Sequence, residues 1–215
     1  MEVGRSSGEA GSAATARRVE LCAALVEVGH SFDARGWLPA SGGNFSARLT
    51  DGTVIVTASG VHKGTLGASD FVALDAEGRP PARVKPSFET PLHLAVYRRL
   101  SQAGAVLHIH GAAGTVLSRR RTTVVLQGYE LQKALPGAPA PERRTEIPVF
   151  ANDQDIARLA TRLETRLRAE PLLAGCLIAG HGLYAWGRDV TQARWRVEAL
   201  EFMFECELRE EELRR

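Results

Sequence analysis

Apolar and polar positions along the chain follow two different periods, and together these predict a mixture of helices and strands. A period near 3.6 residues predicts helices, and alternating or continuous apolar runs bounded by turn residues predict short strands. The predicted helices cover residues 19–32, a segment opened by Thr90 as N-cap and Pro91, residues 153–169, and a segment opened by Asp189 and Gln192. The predicted strands cover residues 53–57, 71–74, 105–110, 176–179 and 183–186. This mixture predicts an α/β fold.

The chain shows no internal repeat and no break in composition that divides it. We therefore expect one domain over residues 15–215, and a loop over residues 136–141, where three prolines prevent regular structure. Residues 1–14 are rich in Gly, Ser and Ala and are expected to form a disordered tail.

Composition narrows the possible functions without selecting one. The 215 residues carry 27 basic and 25 acidic side chains, a formal net charge of +2, which gives no reason to expect a nucleic acid or an anionic membrane as partner. No apolar run approaches the ~18 residues of a membrane span. Cys22, Cys176 and Cys206 are scattered, so we expect reduced core cysteines in a cytoplasmic protein.

Histidines supply the clearest chemical signal. His108 and His110 stand two residues apart in an apolar strand, so both point to the same face and both can reach one metal ion. His181 stands between two glycines and is a third candidate ligand. Three imidazoles leave a coordination position open, as in catalytic zinc sites, although Fe, Co, Ni or Mn would also suit them. His30, His62 and His93 are interpreted as structural or solvated.

Three short segments combine small residues with hydroxyl or amide donors. They are residues 41–44, 57–60 and 85–87, with Lys63 as an additional positive charge. Each is common in ordinary turns, but backbone N–H groups and hydroxyls of this kind also bind phosphate. Their combination with a metal site favours a phosphorylated substrate. Glu89 and Glu130 are the candidate proton carriers, provided that they lie near the metal.

The order of these motifs resembles that of the class II aldolase/adducin superfamily, over residues ~18 to ~210. The shared motifs are Ser-Gly-Gly-Asn-Phe-Ser, Thr-Ala-Ser-Gly, Lys-Pro-Ser-x-Glu-Thr, His-x-His and Gly-His-Gly. A narrower similarity, to the methylthioribulose-1-phosphate dehydratases of methionine salvage, rests on residues 128–133, 150–156, 181–187 and 198–207. Gly111, where many relatives have serine, and the Gly128-Tyr129 pair depart from the pattern.

The resemblance implies a three-layer α/β/α domain with a largely antiparallel central sheet, assembled as a homotetramer. It implies one zinc ion per subunit, held by His108, His110 and His181. Glu130 matches the acid/base glutamate of the dehydratases, and Glu89 matches a catalytic or metal-proximal glutamate of the aldolases. The positions that match those around the substrate phosphate are Asn44, Ser59, Gly60 and Ser87.

The reaction implied is loss of water from 5-methylthioribulose 1-phosphate, giving 2,3-diketo-5-methylthiopentyl 1-phosphate. Two alternatives stay open at this stage. One is a class II sugar-phosphate aldolase or 4-epimerase, which would use the same metal but is disfavoured by Glu130 within Gly-Tyr-Glu-Leu-Gln-Lys. The other is a non-catalytic scaffold of the adducin type, which would be expected to lack the metal-site histidines.

Overall fold

A computed structural model describes residues 6–138 and 140–214, with the side chains of residues 6–10 and 12 left out. Five α-helices and eight strands form the framework of this described part of the chain. The helices are α1 (Ser6–Ala34), α2 (Thr90–Arg99), α3 (Ala112–Ser118), α4 (Ile156–Ala169) and α5 (Val190–Leu213). The strands are β1 (Asn44–Arg48), β2 (Val54–Thr57), β3 (Phe71–Leu74), β4 (Ala105–Ile109), β5 (Thr123–Leu126), β6 (Thr145–Phe150), β7 (Gly175–Ile178) and β8 (Gly182–Gly187). Three short 3-10 helices cover Lys63–Thr65, Ala68–Asp70 and Glu130–Ala134.

The eight strands form one sheet in the order β3-β2-β1-β4-β8-β7-β6-β5. Every neighbouring pair is antiparallel except β6 and β7, which are parallel. One core packs α1, α3 and α5 against one face of the sheet, and a second core packs α2 and α4 against the other. The predicted three-layer α/β/α fold with a largely antiparallel sheet is therefore confirmed.

The alternation of side chains along β4 determines which residues face each of the two helical layers. Its odd-numbered residues, including Leu107 and Ile109, lie in the core with α1, α3 and α5. Val106 lies in the opposite core, and the His108 ring stacks on Tyr184 of that same core, with ring centroids 4.0 Å apart. The predicted alternation about Ile109 is thus present, and it directs His108 towards the α2 side of the sheet.

Several boundaries differ from the sequence expectations. Residues 6–14, expected to be disordered, belong to helix α1, and the alanines among them favour helix. The rest of that expectation, residues 1–5, lies outside the described residues. Glu89 occupies the N-cap position of helix α2 without a side-chain capping hydrogen bond, so Thr90 is the first residue of the helix rather than its N-cap. Helix α4 begins at Ile156, because the Asp155 carboxylate accepts the Arg158 N–H and caps it. Helix α3 and strands β1, β5 and β6 were not predicted.

Within the described residues, no helix combines the length and the apolar character that crossing a membrane requires. Cys22 and Cys176 are buried, Cys206 is half-buried, and none of the three is paired.

Helix α5 places one carboxyl group, Glu201, inside the α1/α3/α5 layer. Its side chain is 1% exposed, and Oε1 accepts a 3.4 Å hydrogen bond from the Gly114 N–H, while Oε2 has no partner within the described residues. Burial, and to a lesser degree the nearby Glu205, raise the pKa of Glu201 to about 7.

Glu201 should make stability depend on pH. Because its pKa is raised on folding, its stabilisation is complete below about pH 4.5 and is lost as the pH rises to about 7. The free energy of unfolding of the wild type, minus that of Glu201→Gln, should fall by about 3 kcal/mol over this range. Denaturant unfolding of both proteins at each pH measures this difference. The histidines are the same in both proteins, so their contributions to the pH dependence cancel. A difference that does not change with pH would contradict this assignment.

Candidate metal centre

Three histidines meet at one end of the sheet, where β4 ends and the turn between β7 and β8 begins. The ring nitrogens of His108, His110 and His181 that could bind one ion all lie within 4.8 Å of one another. The His108 Nε2 lies 2.9 Å from the His110 Nε2 and 3.4 Å from the His181 Nε2. Ligand nitrogens around a tetrahedral zinc ion stand about 3.4 Å apart, given Zn–N bonds of about 2.1 Å. The cluster is therefore compatible with one metal ion.

Hydrogen bonding prepares His108 as a ligand. Its Nδ1–H donates to the Leu183 carbonyl oxygen, 2.9 Å away on the neighbouring strand β8. This places the proton on Nδ1 and leaves the Nε2 lone pair facing the other two histidines. Burial, followed by the nearby His110 and His181, lowers the pKa of His108 well below its usual value. Burial likewise lowers the pKa of His110 to about 4, so both rings are neutral at neutral pH.

Close backbone approaches position these strand ends. Gly43 has a φ of 75°, and a side chain there would overlap the carbonyl oxygen of His108. A side chain on Gly182 would overlap the carbonyl oxygen of Ile109 and contact the His108 ring. The glycines next to the histidine motifs thus let three chain segments converge on one point.

Glu89 stands beside this cluster. Its Oε2 lies 3.4 Å from His108 Nε2 and its Oε1 lies 3.4 Å from His181 Nε2. A neutral His108 cannot form an ion pair with this nearly buried carboxylate, which a neighbouring positive charge would stabilise. A divalent cation among the four side chains would supply it.

A directed chain of hydrogen bonds fixes the orientation of Glu89. The Asn44 Nδ2 donates to Glu89 Oε2 at 2.6 Å, and the Asn44 Oδ1 accepts from His93 Nε2–H. The Nδ1 of His93 then accepts from the Ser46 hydroxyl, which in turn accepts from the Tyr97 hydroxyl. Burial lowers the pKa of His93 to about 4, consistent with this neutral, structural histidine.

A cavity of about 320 Å³ opens onto the cluster. The sequence-predicted phosphate residues Asn44, Ser59, Gly60 and Ser87 all line it, together with Glu89, His110 and His181. The Asn44 amide is already engaged by Glu89 and His93, which leaves one Nδ2–H for a ligand.

Asn152, Asp153 and Gln154 also line the cavity. Their motif is recognisable in the sequence, but their approach to the cavity depends on where β6 ends.

Lys63 lines the same cavity as a buried ammonium group. Its side chain is 3% exposed, and Nζ donates to the carbonyl oxygens of Ser41 and Val61 at 2.7 and 2.6 Å. No carboxylate among the described residues lies within ion-pair distance of it. Burial lowers the pKa of Lys63, and the negative charge of Glu89 opposes that shift. Lys63 is therefore a buried basic group at the wall of the cavity whose Nζ contacts only carbonyl oxygens among the described residues.

Within one chain, the structure does not bring Glu130 to the histidines. Strand β6 runs parallel to β7, so Phe150 ends near the cluster, and β5 runs antiparallel to β6. Glu130 follows β5 and therefore lies at the opposite end of the sheet, three strands from β8, about 14 Å across at ~4.8 Å per strand. Its side chain is 70% exposed and pairs with Lys133 at 2.7 Å.

The remaining histidines are not part of the cluster. His30 is exposed on α1, and the His62 Nδ1 accepts the Gly64 N–H at the start of a 3-10 helix.

The class of protein follows from comparison with known families and structures. The family described as Class II Aldolase and Adducin N-terminal domain matches residues 23–208. The chain belongs to this family.

Within this family, the chain is similar to proteins of one particular name. A protein from Acidiphilium cryptum (strain JF-5) named methylthioribulose-1-phosphate dehydratase is 46% identical, with 100% of each chain covered. A dehydratase of the same name from Methylococcus capsulatus is 50% identical over 87% of this chain and 92% of its own. Among solved structures, the L-fuculose-1-phosphate aldolase from Thermus thermophilus matches with a TM-score of 0.76 and 29% identity, over 90% of this chain and 95% of that one.

Removing a candidate ligand should abolish stoichiometric metal binding. In His108→Ala, two ring nitrogens cannot replace three, and we expect the zinc content after loading and dialysis to fall well below one ion per chain. His30→Ala, at an exposed histidine outside the cluster, is the matched control. Metal analysis by mass spectrometry measures both variants, and circular dichroism checks their folds. One tightly bound zinc in His108→Ala would show that the cluster is not the metal site.

Proposed function

We propose that this protein is a zinc-dependent methylthioribulose-1-phosphate dehydratase of methionine salvage. The observation that carries the proposal is the cluster of His108, His110, His181 and Glu89, which opens onto a cavity lined by Lys63. The chain also has relatives of that name that match it over its whole length. The reaction removes the C3 proton and the C4 hydroxyl of 5-methylthioribulose 1-phosphate as water. The resulting enol then ketonises to 2,3-diketo-5-methylthiopentyl 1-phosphate.

The phosphate-binding proposal rests on groups at the wall of the cavity. Ser59 and Ser87 offer hydroxyls, and the Gly60 backbone offers close approach at a φ of 78°. The third N–H of Lys63 and the free Nδ2–H of Asn44 add donors that suit an anionic phosphate. These residues would hold the phosphate at one side of the cavity, and the sugar carbons would extend towards the histidines.

His108, His110 and His181 would hold the zinc ion, one per subunit. When bound, zinc supplies a Lewis acid for the negative charge that develops on the substrate oxygens as the C3 proton leaves. Glu89 lies against two of these histidines, so we assign it either to shaping this site or to a second proton-transfer step.

Glu130 is proposed as the group that moves the proton between C3 and the departing C4 hydroxyl. Because it lies at the far end of the sheet in its own chain, it would act in the cavity of a second copy. A site at one end of the sheet and a glutamate at the other suit a head-to-tail interface, which closes into a ring. We therefore propose a homotetramer whose active sites are shared between subunits, and place it in the cytoplasm, where its unpaired cysteines stay reduced.

The proposed reaction has a direct assay. The zinc-loaded protein should form the diketone from methylthioribulose 1-phosphate and should release no dihydroxyacetone phosphate from fuculose 1-phosphate. Glu130→Gln should keep its zinc and lose kcat by about 10²- to 10⁴-fold, because general acid–base catalysis contributes about that much. The control is Glu142→Gln, an exposed carboxylate without a proposed role. Near-normal kcat in Glu130→Gln would refute its assignment, and aldol cleavage without dehydration would refute the reaction.

Mixed oligomers test the sharing of the site. His108→Ala and Glu130→Gln should each be inactive alone. When the two are coexpressed and assemble randomly, about a quarter of sites combine intact histidines from one chain with an intact Glu130 from another, and that share of activity should return. A mixture of His108→Ala with His181→Ala is the control, and it should stay inactive because both substitutions affect the same ligand set. No recovery in verified mixed oligomers would contradict a shared site.

A further inference from the structure

The buried Glu201 lies in the motif of residues 198–207, which the proposed reaction leaves without a role. Its carboxylate occupies a space left open by two glycines of the neighbouring segment, since a side chain on Gly111 would overlap it and one on Gly114 would contact it. Both glycines belong to the start of α3, whose first N–H groups lack partners inside the helix. Glu201 Oε1 accepts the N–H of Gly114 there, which anchors the first turn of α3 to α5.

Helix α3 is in turn linked to two of the candidate ligands. It begins directly after Gly111, the residue that follows His110. The Thr115 hydroxyl donates to the carbonyl oxygen of His181 at 3.2 Å. The Ser118 hydroxyl oxygen accepts the N–H of Gly180, the residue before His181, at 3.0 Å. A displacement of α3 would therefore move the His181 turn relative to the end of β4.

We propose that Glu201 is a positioning residue of the metal centre, which acts through α3 to hold His110 and His181 at the separation that one ion requires. The inference rests on the proposed metal site but not on the identity of the substrate. Glu201 touches neither the ion nor the substrate, and its contribution is the acceptor that it offers to the start of α3.

Packing alone does not account for a carboxyl group at this position. Leu177 and Phe204 border Gly114 together with Glu201. A leucine in place of Glu201 would fill a similar volume there without the desolvation cost of a buried carboxyl group. Burial raises the pKa of Glu201 to about 7, which reflects that desolvation. The backbone N–H groups in the first turn of α3 have no partners within the helix, and a carboxyl group can accept from them whereas a leucine cannot. We therefore infer that the hydrogen bond to the Gly114 N–H is the reason for a carboxyl group at this position.

Two substitutions separate the acceptor from the volume. Glu201→Gln keeps an oxygen acceptor, whereas Glu201→Leu keeps the bulk and removes the acceptor. For Glu201→Leu, we expect the Kd for Co²⁺, measured by chelator competition on the metal-free full-length protein, to rise about tenfold or more, as is typical when a group supporting a ligand is lost. The visible absorption of the bound Co²⁺ should change as well. Its melting temperature should change little, because relief of the desolvation of the carboxyl group offsets the loss of its hydrogen bond to the Gly114 N–H.

The expected result for Glu201→Gln is a Co²⁺ affinity and spectrum close to those of the wild type. Wild-type affinity and spectrum in Glu201→Leu would overturn the proposal, and so would an equal loss in both variants. Since no substrate is used, failure of the dehydratase assay would leave this result standing, and the reverse also holds.

A second variant covers the case in which Glu201→Leu does not fold. Thr115→Val removes the hydroxyl that reaches the His181 carbonyl and nearly preserves the shape of the side chain, so it should weaken Co²⁺ binding in the same direction. Thr165→Val is the matched control, because among the described residues the Thr165 hydroxyl bonds only to the Thr161 carbonyl oxygen, on the exposed side of α4. Unchanged affinity in Thr115→Val would overturn the coupling through α3.

Discussion

The antiparallel pairing of β4 with β8 is the constraint on which the rest of the site depends. It places His108 opposite Tyr184, one register position from Leu183, whose carbonyl oxygen accepts a hydrogen bond from the His108 Nδ1–H. It also brings the β7–β8 turn, with His181, to the end of β4 where His110 stands. The glycine at position 182 is required for this because any side chain there would separate the two strands. One strand pairing therefore determines the spacing, the tautomer and the direction of the candidate ligands.

Polar groups buried around this pairing are costly, and the structure offsets the cost by connecting them. The hydrogen bonds from Tyr97 through Ser46, His93 and Asn44 to Glu89 connect these five side chains and leave the carboxylate directed at the histidines. The α2/α4 layer thus orients the carboxylate. The opposite layer holds α3 and the two segments that carry His110 and His181, so the two cores support different parts of one centre.

Much of the fold and of the candidate site could be predicted from local pattern. Helix α4 is strongly amphipathic and departs from its prediction only at its start. The strands around the histidines are continuous apolar runs, which are typical of buried strands. The histidines, the phosphate-type loops and Glu89 carry recognisable residue types at recognisable spacings. Strand β6 was missed because Pro148 interrupts its pattern, and the start of α1 was missed because small residues resemble a tail as much as a helix.

The sequence alone determined which residues could carry the chemistry, because donor types and the two-residue alternation of a strand are local properties. Tertiary structure decided which of them meet. Asn152, Asp153 and Gln154 reach the cavity, and Glu201 reaches the start of α3, through contacts between distant segments that no spacing reveals. The same topology separates Glu130 from the histidines of its own chain, because β5 reverses direction at the edge of the sheet. Sequence order cannot express that separation, since it depends on strand order and direction.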